Sequence, residues 1–170
     1  MSMQESIPHR DYAALRTSAA AIATLPSREA RMEAFVELWW SAFAAFGVSW
    51  AGFYVDCPEE PDSQRMILGA RRPGPACSPI GIHGACGQAL VSRQTLVVRD
   101  VADLGAGYIA CDPRDRSELV VPCLTAEGQP WGVFDVDSHQ VGSFDASDGN
   151  ACQELHCLAG LTQPARRQRR

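Results

Sequence analysis

Lysine is absent: all 15 basic residues of the 170-residue chain are Arg, against 20 acidic residues, and the formal net charge is -5. An acidic chain of this kind argues against a general nucleic-acid or anionic-membrane partner. Its one basic cluster, Arg166, Arg167, Arg169 and Arg170, is read as part of a solvated tail over residues 163–170. The opening MSMQESIPHRD lacks a charged stretch followed by an apolar one, so no secretory leader is expected and the expected setting is the reducing cytoplasm. Internal repeats and low-complexity tracts are also missing. One apolar stretch without a charge, Leu38 to Val55, is 18 residues and divides into a helix end and a strand, so no membrane span is expected.

With 46% hydrophobic residues, the chain is large enough for one compact domain whose core needs neither disulfides nor a structural metal. Helical spacing places a first helix from Asp11 as N-cap to before Pro26. A second carries Met32, Phe35, Val36, Trp39, Phe43 and Phe46, with Ser27 as cap and Gly47 as stop. Strands are read at 48–55, 65–70, 95–99, 118–124 and 131–138, with a short helix over 84–93 and a closing helix from Asp145, where Asp148 completes a capping pair. Helices flanking hairpin-linked strands predict an α+β fold, a central antiparallel β-sheet with helices packed on one face and functional loops on the other. Residues 71–86 and 100–117 are the two long irregular connections, and both hold cysteines.

Period two along residues 131–137 puts Trp131, Val133, Asp135 and Asp137 on one strand face. If Glu127-Gly128 is a two-residue turn, Glu118 pairs with Asp137 and Val120 with Asp135, which brings a third carboxylate to that face. Three acids so close cannot all ionise freely, so at least one is expected to keep its proton near neutrality. Such a group could grip an ammonium and donate a proton. The pattern alone also fits a solvent face.

Seven cysteines, an odd number, point to reactive, metal-bound or buried thiols rather than a secreted disulfide framework. Cys123, Cys152 and Cys157 read as small hydrophobes within a strand and a helix, and Cys57 as a loop residue. Cys77, Cys86 and Cys111 lie in or beside the long loops, with Cys86 in a first helical turn where the dipole would lower its pKa. With His83 they form a conceivable zinc set, although the tight C-x2-4-C spacing of structural zinc is missing.

Trp50-Ala51-Gly52-Phe53-Tyr54, Leu68-Gly69 through Pro75-Ala76-Cys77, Gly84-Ala85-Cys86-Gly87, Ile109-Ala110-Cys111-Asp112, Ser117-Glu118-Leu119-Val120-Val121-Pro122 and Gly132-Val133-Phe134-Asp135-Val136-Asp137-Ser138 resemble the ordered motifs of the free methionine-(R)-sulfoxide reductases, enzymes built on a GAF domain. The resemblance spans about residues 30–160. It implies a GAF-like catalytic domain over 29–162, preceded by a helical segment over 1–28. Cys111 would be the nucleophile, Cys77 the resolving thiol that forms a disulfide with it, and Cys86 an auxiliary thiol. Glu118, Asp135 and Asp137 would bind the substrate amino group and help protonate the sulfoxide oxygen, while Trp50 and Tyr54 would pack on the methylthio end.

The resemblance further implies thioredoxin as reductant, no cofactor or metal, and a homodimer. Preference for the R epimer and for the free amino acid is inherited from it too. Acids that capture a free ammonium are left unpaired by a peptide amide, which favours the second preference physically. Carboxylates near Cys111 oppose its thiolate; Arg114 and Arg116 could offset this, and read equally well as ordinary surface arginines. The chain departs from the family in a shortened Cys77–Cys86 separation, in His83, and in Tyr108, where a His is common. A non-catalytic GAF domain that senses a small molecule is the alternative, but it has no need for three loop cysteines ordered against three acids.

Overall fold

The structure is a computed structural model that describes residues 9–108 and 110–163. Apart from Gln163, the expected tail lies outside them, as do residues 1–8. Asp11 accepts the Ala14 N–H at 3.2 Å and opens a 3-10 turn, Ala13–Leu15, which runs into helix α1, Arg16–Ile22. The Ser27 side chain caps α2, Arg28–Phe43, by accepting from Ala30. Five of the six apolar residues read as its inner stripe are buried, but Phe46 is exposed in a 3-10 turn beyond the helix end, and Gly47 ends the segment in the left-handed region with φ 84°. The uncharged run therefore does divide into helix and strand. Among the described residues, no helix is long and apolar enough to cross a membrane.

Five strands follow: β1 (Trp50–Asp56), β2 (Met66–Arg72), β3 (Leu96–Val98), β4 (Ser117–Leu124) and β5 (Pro130–Ser138). They form one antiparallel sheet in the order β2-β1-β5-β4-β3. Arg71 and Arg72, read as loop, instead extend β2. Helix α3 (Ala85–Ser92) lies between β2 and β3, and α4 (Ala146–Leu158) closes the fold behind a capping box of Asp145 and Asp148.

The two sheet faces carry different cores. On one, α1, α2 and α4 bury Phe35, Trp39, Phe53, Phe134, Phe144 and Leu155, with Phe35 edge-on to Phe134 at 5.3 Å. Cys123 and Cys152 are fully buried there as expected, whereas Cys157 is exposed. On the other, Tyr54, Val120 and Val133 meet Cys86, Ala89 and Leu90 of α3. One helix thus shares the loop face, contrary to the one-sided covering read from the sequence. The loop leading into α3 folds back against the helix so closely that a Cβ on Gly87 would collide with the Ile82 backbone.

The β4–β5 register pairs Glu118 with Asp137 and Val120 with Asp135, as the two-residue turn required. It is reached differently. The loop is one residue longer, with Thr125 bonded to Gln129 and Gly128 at φ 78°, and an irregularity at Cys123/Leu124 takes up the extra residue, Trp131. Trp131 consequently turns to the helical side, where its Nε1 donates to Leu161 O at 2.9 Å. It does not share the acidic face.

Candidate active site

Strand pairing assembles one end of the loop face. Trp50 lies opposite Asp137, Gly52 opposite Asp135 and Tyr54 opposite Val133, so β1, β5 and β4 bring Trp50, Tyr54, Asp135, Asp137 and Glu118 onto one surface. Gly52 is required here because a Cβ would strike the Trp50 indole, which lies across it. Both aromatic side chains also anchor the loop that carries Cys77. Trp50 Nε1 donates to Gly74 O at 3.0 Å, and the Tyr54 hydroxyl donates to Cys77 O at 2.8 Å. Met66 and Ile80 exchange backbone bonds at 2.9 Å, fixing the far end of the same loop.

Cys77 and Cys111, both exposed, are joined by a disulfide with their Cα atoms 5.6 Å apart. It bridges the two long loops at the rim of a cavity of about 420 Å³, whose wall includes Trp50, Tyr54, Cys86, Glu118, Asp135 and Asp137. Cys86 is reduced and buried, and its sulfur lies within 4.8 Å of carboxylate oxygens of Glu118 and Asp135. Glu118 Oε2 and Asp135 Oδ1 have no hydrogen-bond partner in the structure. These oxygens can therefore accept a donor from a bound ligand.

Burial, more than mutual repulsion, sets the charge state of the acids. It lifts Asp135 to about 7 and, together with the Asp135 charge, raises Glu118 and Asp137 well above the ordinary range. A proton retained near neutrality was the sequence expectation, and it holds. The expectation for Cys86 does not: burial and the charges of Asp135 and Glu118 raise its thiol well above the usual value, overriding the α3 terminus. The two arginines weighed as an offset each meet another acid. Arg114 grips Asp112 at 2.8 and 3.0 Å, and Arg116 faces Asp100 at 3.7 Å.

Three wall residues escape the sequence reading of a site: Asp115, His139 and, noted only as a departure, Tyr108. Asp115 is 6% exposed and raised to about 6, by burial first and by Asp112 second. His139 Nε2 lies 3.3 Å from Asp112 and 3.7 Å from Asp115. All three belong to irregular segments, where no periodicity marks an inward side chain. Potential metal-ligating atoms converge among the described residues at Cys86, Glu118 and Asp135, and at Asp112, Asp115 and His139. The zinc set read from the sequence is not gathered: Cys77 and Cys111 are joined to each other, and His83 is in neither group.

Residues 35–161 match the GAF domain family. The free methionine-R-sulfoxide reductase of Saccharomyces cerevisiae is 36% identical over 119 residues, covering 68% of this chain and 64% of that protein, so the match spans just under two thirds of that relative. The structure of a candidate GAF sensor protein from Burkholderia vietnamiensis superposes with TM-score 0.76 at 35% identity, covering 91% of this chain and 92% of that one. That of the free methionine-R-sulfoxide reductase from Neisseria meningitidis, solved in complex with its substrate, superposes with TM-score 0.73 at 30% identity, covering 91% of each chain. With this fold and a family match over residues 35–161, the chain belongs to the GAF domain family.

Proposed function

We propose that the protein reduces free L-methionine (R)-sulfoxide to methionine, with Cys111 as nucleophile and thioredoxin as the final reductant. The observation that carries this reading is the meeting of opposites in one cavity. Protonated carboxyls line its floor and the Cys77–Cys111 pair lines its rim, with aromatic rings between them. Glu118, Asp135 and Asp137 offer oxygens to an α-ammonium group, and Trp50 with Tyr54 offers an apolar wall to the methylthio end. Binding a charged ammonium ionises part of the cluster, while a carboxyl that keeps its proton serves as the acid.

In the reaction, the Cys111 thiolate attacks the sulfoxide sulfur as a carboxylic acid protonates the oxygen. Methionine leaves, the oxygen passes to Cys111 as a sulfenic acid, and the donor becomes a carboxylate. The Cys77 thiol then attacks the sulfenic sulfur and water departs, giving the disulfide. A Cα separation of 5.6 Å suits that bond. Thioredoxin dithiol reduces it, so two electrons and two protons pass from thioredoxin to one sulfoxide, yielding methionine and water. Both sulfurs lie on exposed residues, which leaves them open to a protein reductant.

The test is NADPH oxidation coupled through thioredoxin reductase and thioredoxin. Turnover is expected with the R epimer of the free amino acid, little with the S epimer or an N-acylated substrate, and none for Cys111→Ser. Absence of R-epimer turnover by reduced wild-type protein would favour a sensor that binds a small molecule without chemistry.

A further inference from the structure

Each turnover of the reductase proposed above leaves one buried carboxyl without its proton. Glu118 and Asp135 are only 4% and 6% exposed, and a bound substrate caps the cavity they line. Their reprotonation therefore needs a path to water that does not run through the substrate. Two residues that the reaction scheme leaves unused occupy such a path. Asp115 lines the same cavity while its side chain is almost fully buried, and His139 stands beside it with a side chain 40% exposed.

We infer that Asp115 and His139 form a proton-relay pair, 3.7 Å apart, that connects solvent at the cavity mouth with the buried carboxyls. The inference rests on the reductase reading. Its proton account closes: Cys111 releases one proton to solvent when it ionises, the inner acid gives one to the sulfoxide oxygen, and His139 and Asp115 return one to that acid. The second hydrogen of the water comes from the Cys77 thiol.

Asp112 lies nearer to His139 Nε2, at 3.3 Å, but Arg114 holds its carboxyl well below the usual carboxylate range, so it stays ionised and does not pass a proton inward. Arg114 stays protonated and is engaged by Asp112. The Tyr108 hydroxyl is pushed far above neutrality by burial and by Glu118 and Asp137. Asp115 faces Asp112 and Arg114 from its own loop, His139 from beyond β5, Glu118 from β4, and Asp135 with Asp137 from β5. Within this field burial raises Asp115 to about 6 and Asp135 to about 7, which matches the inner two acids to each other. Protons pass most readily between groups matched in this way.

The test uses the full chain in steady state with free L-methionine (R)-sulfoxide and saturating thioredoxin, thioredoxin reductase and NADPH, so that every chain must recover its proton between turnovers, and methionine is counted in quenched samples. His139→Gln is expected to lower the steady-state rate about tenfold, while the first methionine, formed by an acid already protonated, appears as fast as in wild type. Added imidazole should restore the rate saturably, and wild type should ignore it. Asp115→Asn should be slow and stay slow with imidazole, because the inner half of the path is gone. A His139→Gln rate equal to wild type, or a loss that imidazole does not relieve, would overturn the relay. Failure of wild type to form methionine would remove the reductase reading and the relay with it.

Discussion

The Asp135 carboxyl has a value of 3.8 when free and about 7 in the folded chain, because burial on the loop face disfavours its charge. Between those values the native state holds a proton that the unfolded chain releases. Stability is therefore fully present below about 4 and falls as pH rises through 7. Asp135→Asn removes that dependence, so the variant is expected to be inactive yet more stable than wild type at pH 8, by about 1–2 kcal/mol. Urea unfolding at pH 5 and pH 8 checks this, since the gap should narrow at the lower pH. An equal gap at both would assign the effect to packing of the amide. Asp135, Asp137 and Glu118 were legible because strands alternate strictly and one turn fixes their partner. Asp115 and His139 were not: the run Asp112-Pro113-Arg114-Asp115-Arg116 reads as ordinary charged surface, and only the folded loop shows that Asp115 faces inward.

Elements were legible to the extent that local rules decide them. The Ser27 cap, the Gly47 stop and the Asp145–Asp148 capping box each rest on side chains within a few residues. What failed was set by distant contacts. The irregularity that turns Trp131 to the helical side keeps the register, so the pairing argument was right about Glu118 and wrong about Trp131. The side chosen by α3 depends on its packing against β4 and β5. The N-terminal segment is another long-range case. Arg10 is 4% exposed and donates to Ser143 O, Ser143 Oγ, Asp148 Oδ1 and Phe46 O, with its guanidinium 4.7 Å from the centre of the Phe144 ring. Arg10→Ala strands Asp148 in the core and is expected to cost about 3–5 kcal/mol, read as a shift in urea midpoint at constant slope. Arg10→Lys should recover only part of this, because one ammonium cannot reproduce the forked geometry.

At the scale of the whole molecule, the sheet separates a supporting side from a working side. Away from the Arg10–Asp148 pair the supporting face is mostly apolar, and His156, packed against Phe35, Phe53 and Phe134, is held neutral, pushed down to about 3 by burial. Nothing there has to move during a redox cycle. The working face is held by fewer ties: the loop over 73–84 by Trp50, Tyr54 and the Met66–Ile80 pair, and the stretch over 110–116 by Arg116 bonding to Ser138. The Cys77–Cys111 bond adds a covalent tie across these two segments. Reduction removes that tie without touching the sheet, so the change should be local. Amides of both loops are expected to exchange with deuterium faster in the reduced protein, while those of β1, β4 and β5 keep their rates at labelling times too short for global unfolding. At longer times the sheet amides should also respond. Opening a link between residues 34 apart removes about 3–4 kcal/mol of constraint on the unfolded chain. Loop and sheet amides accelerating together at the shortest times would mean that the faces open as one unit, and that the reducible bond supports the whole fold rather than the cavity rim alone.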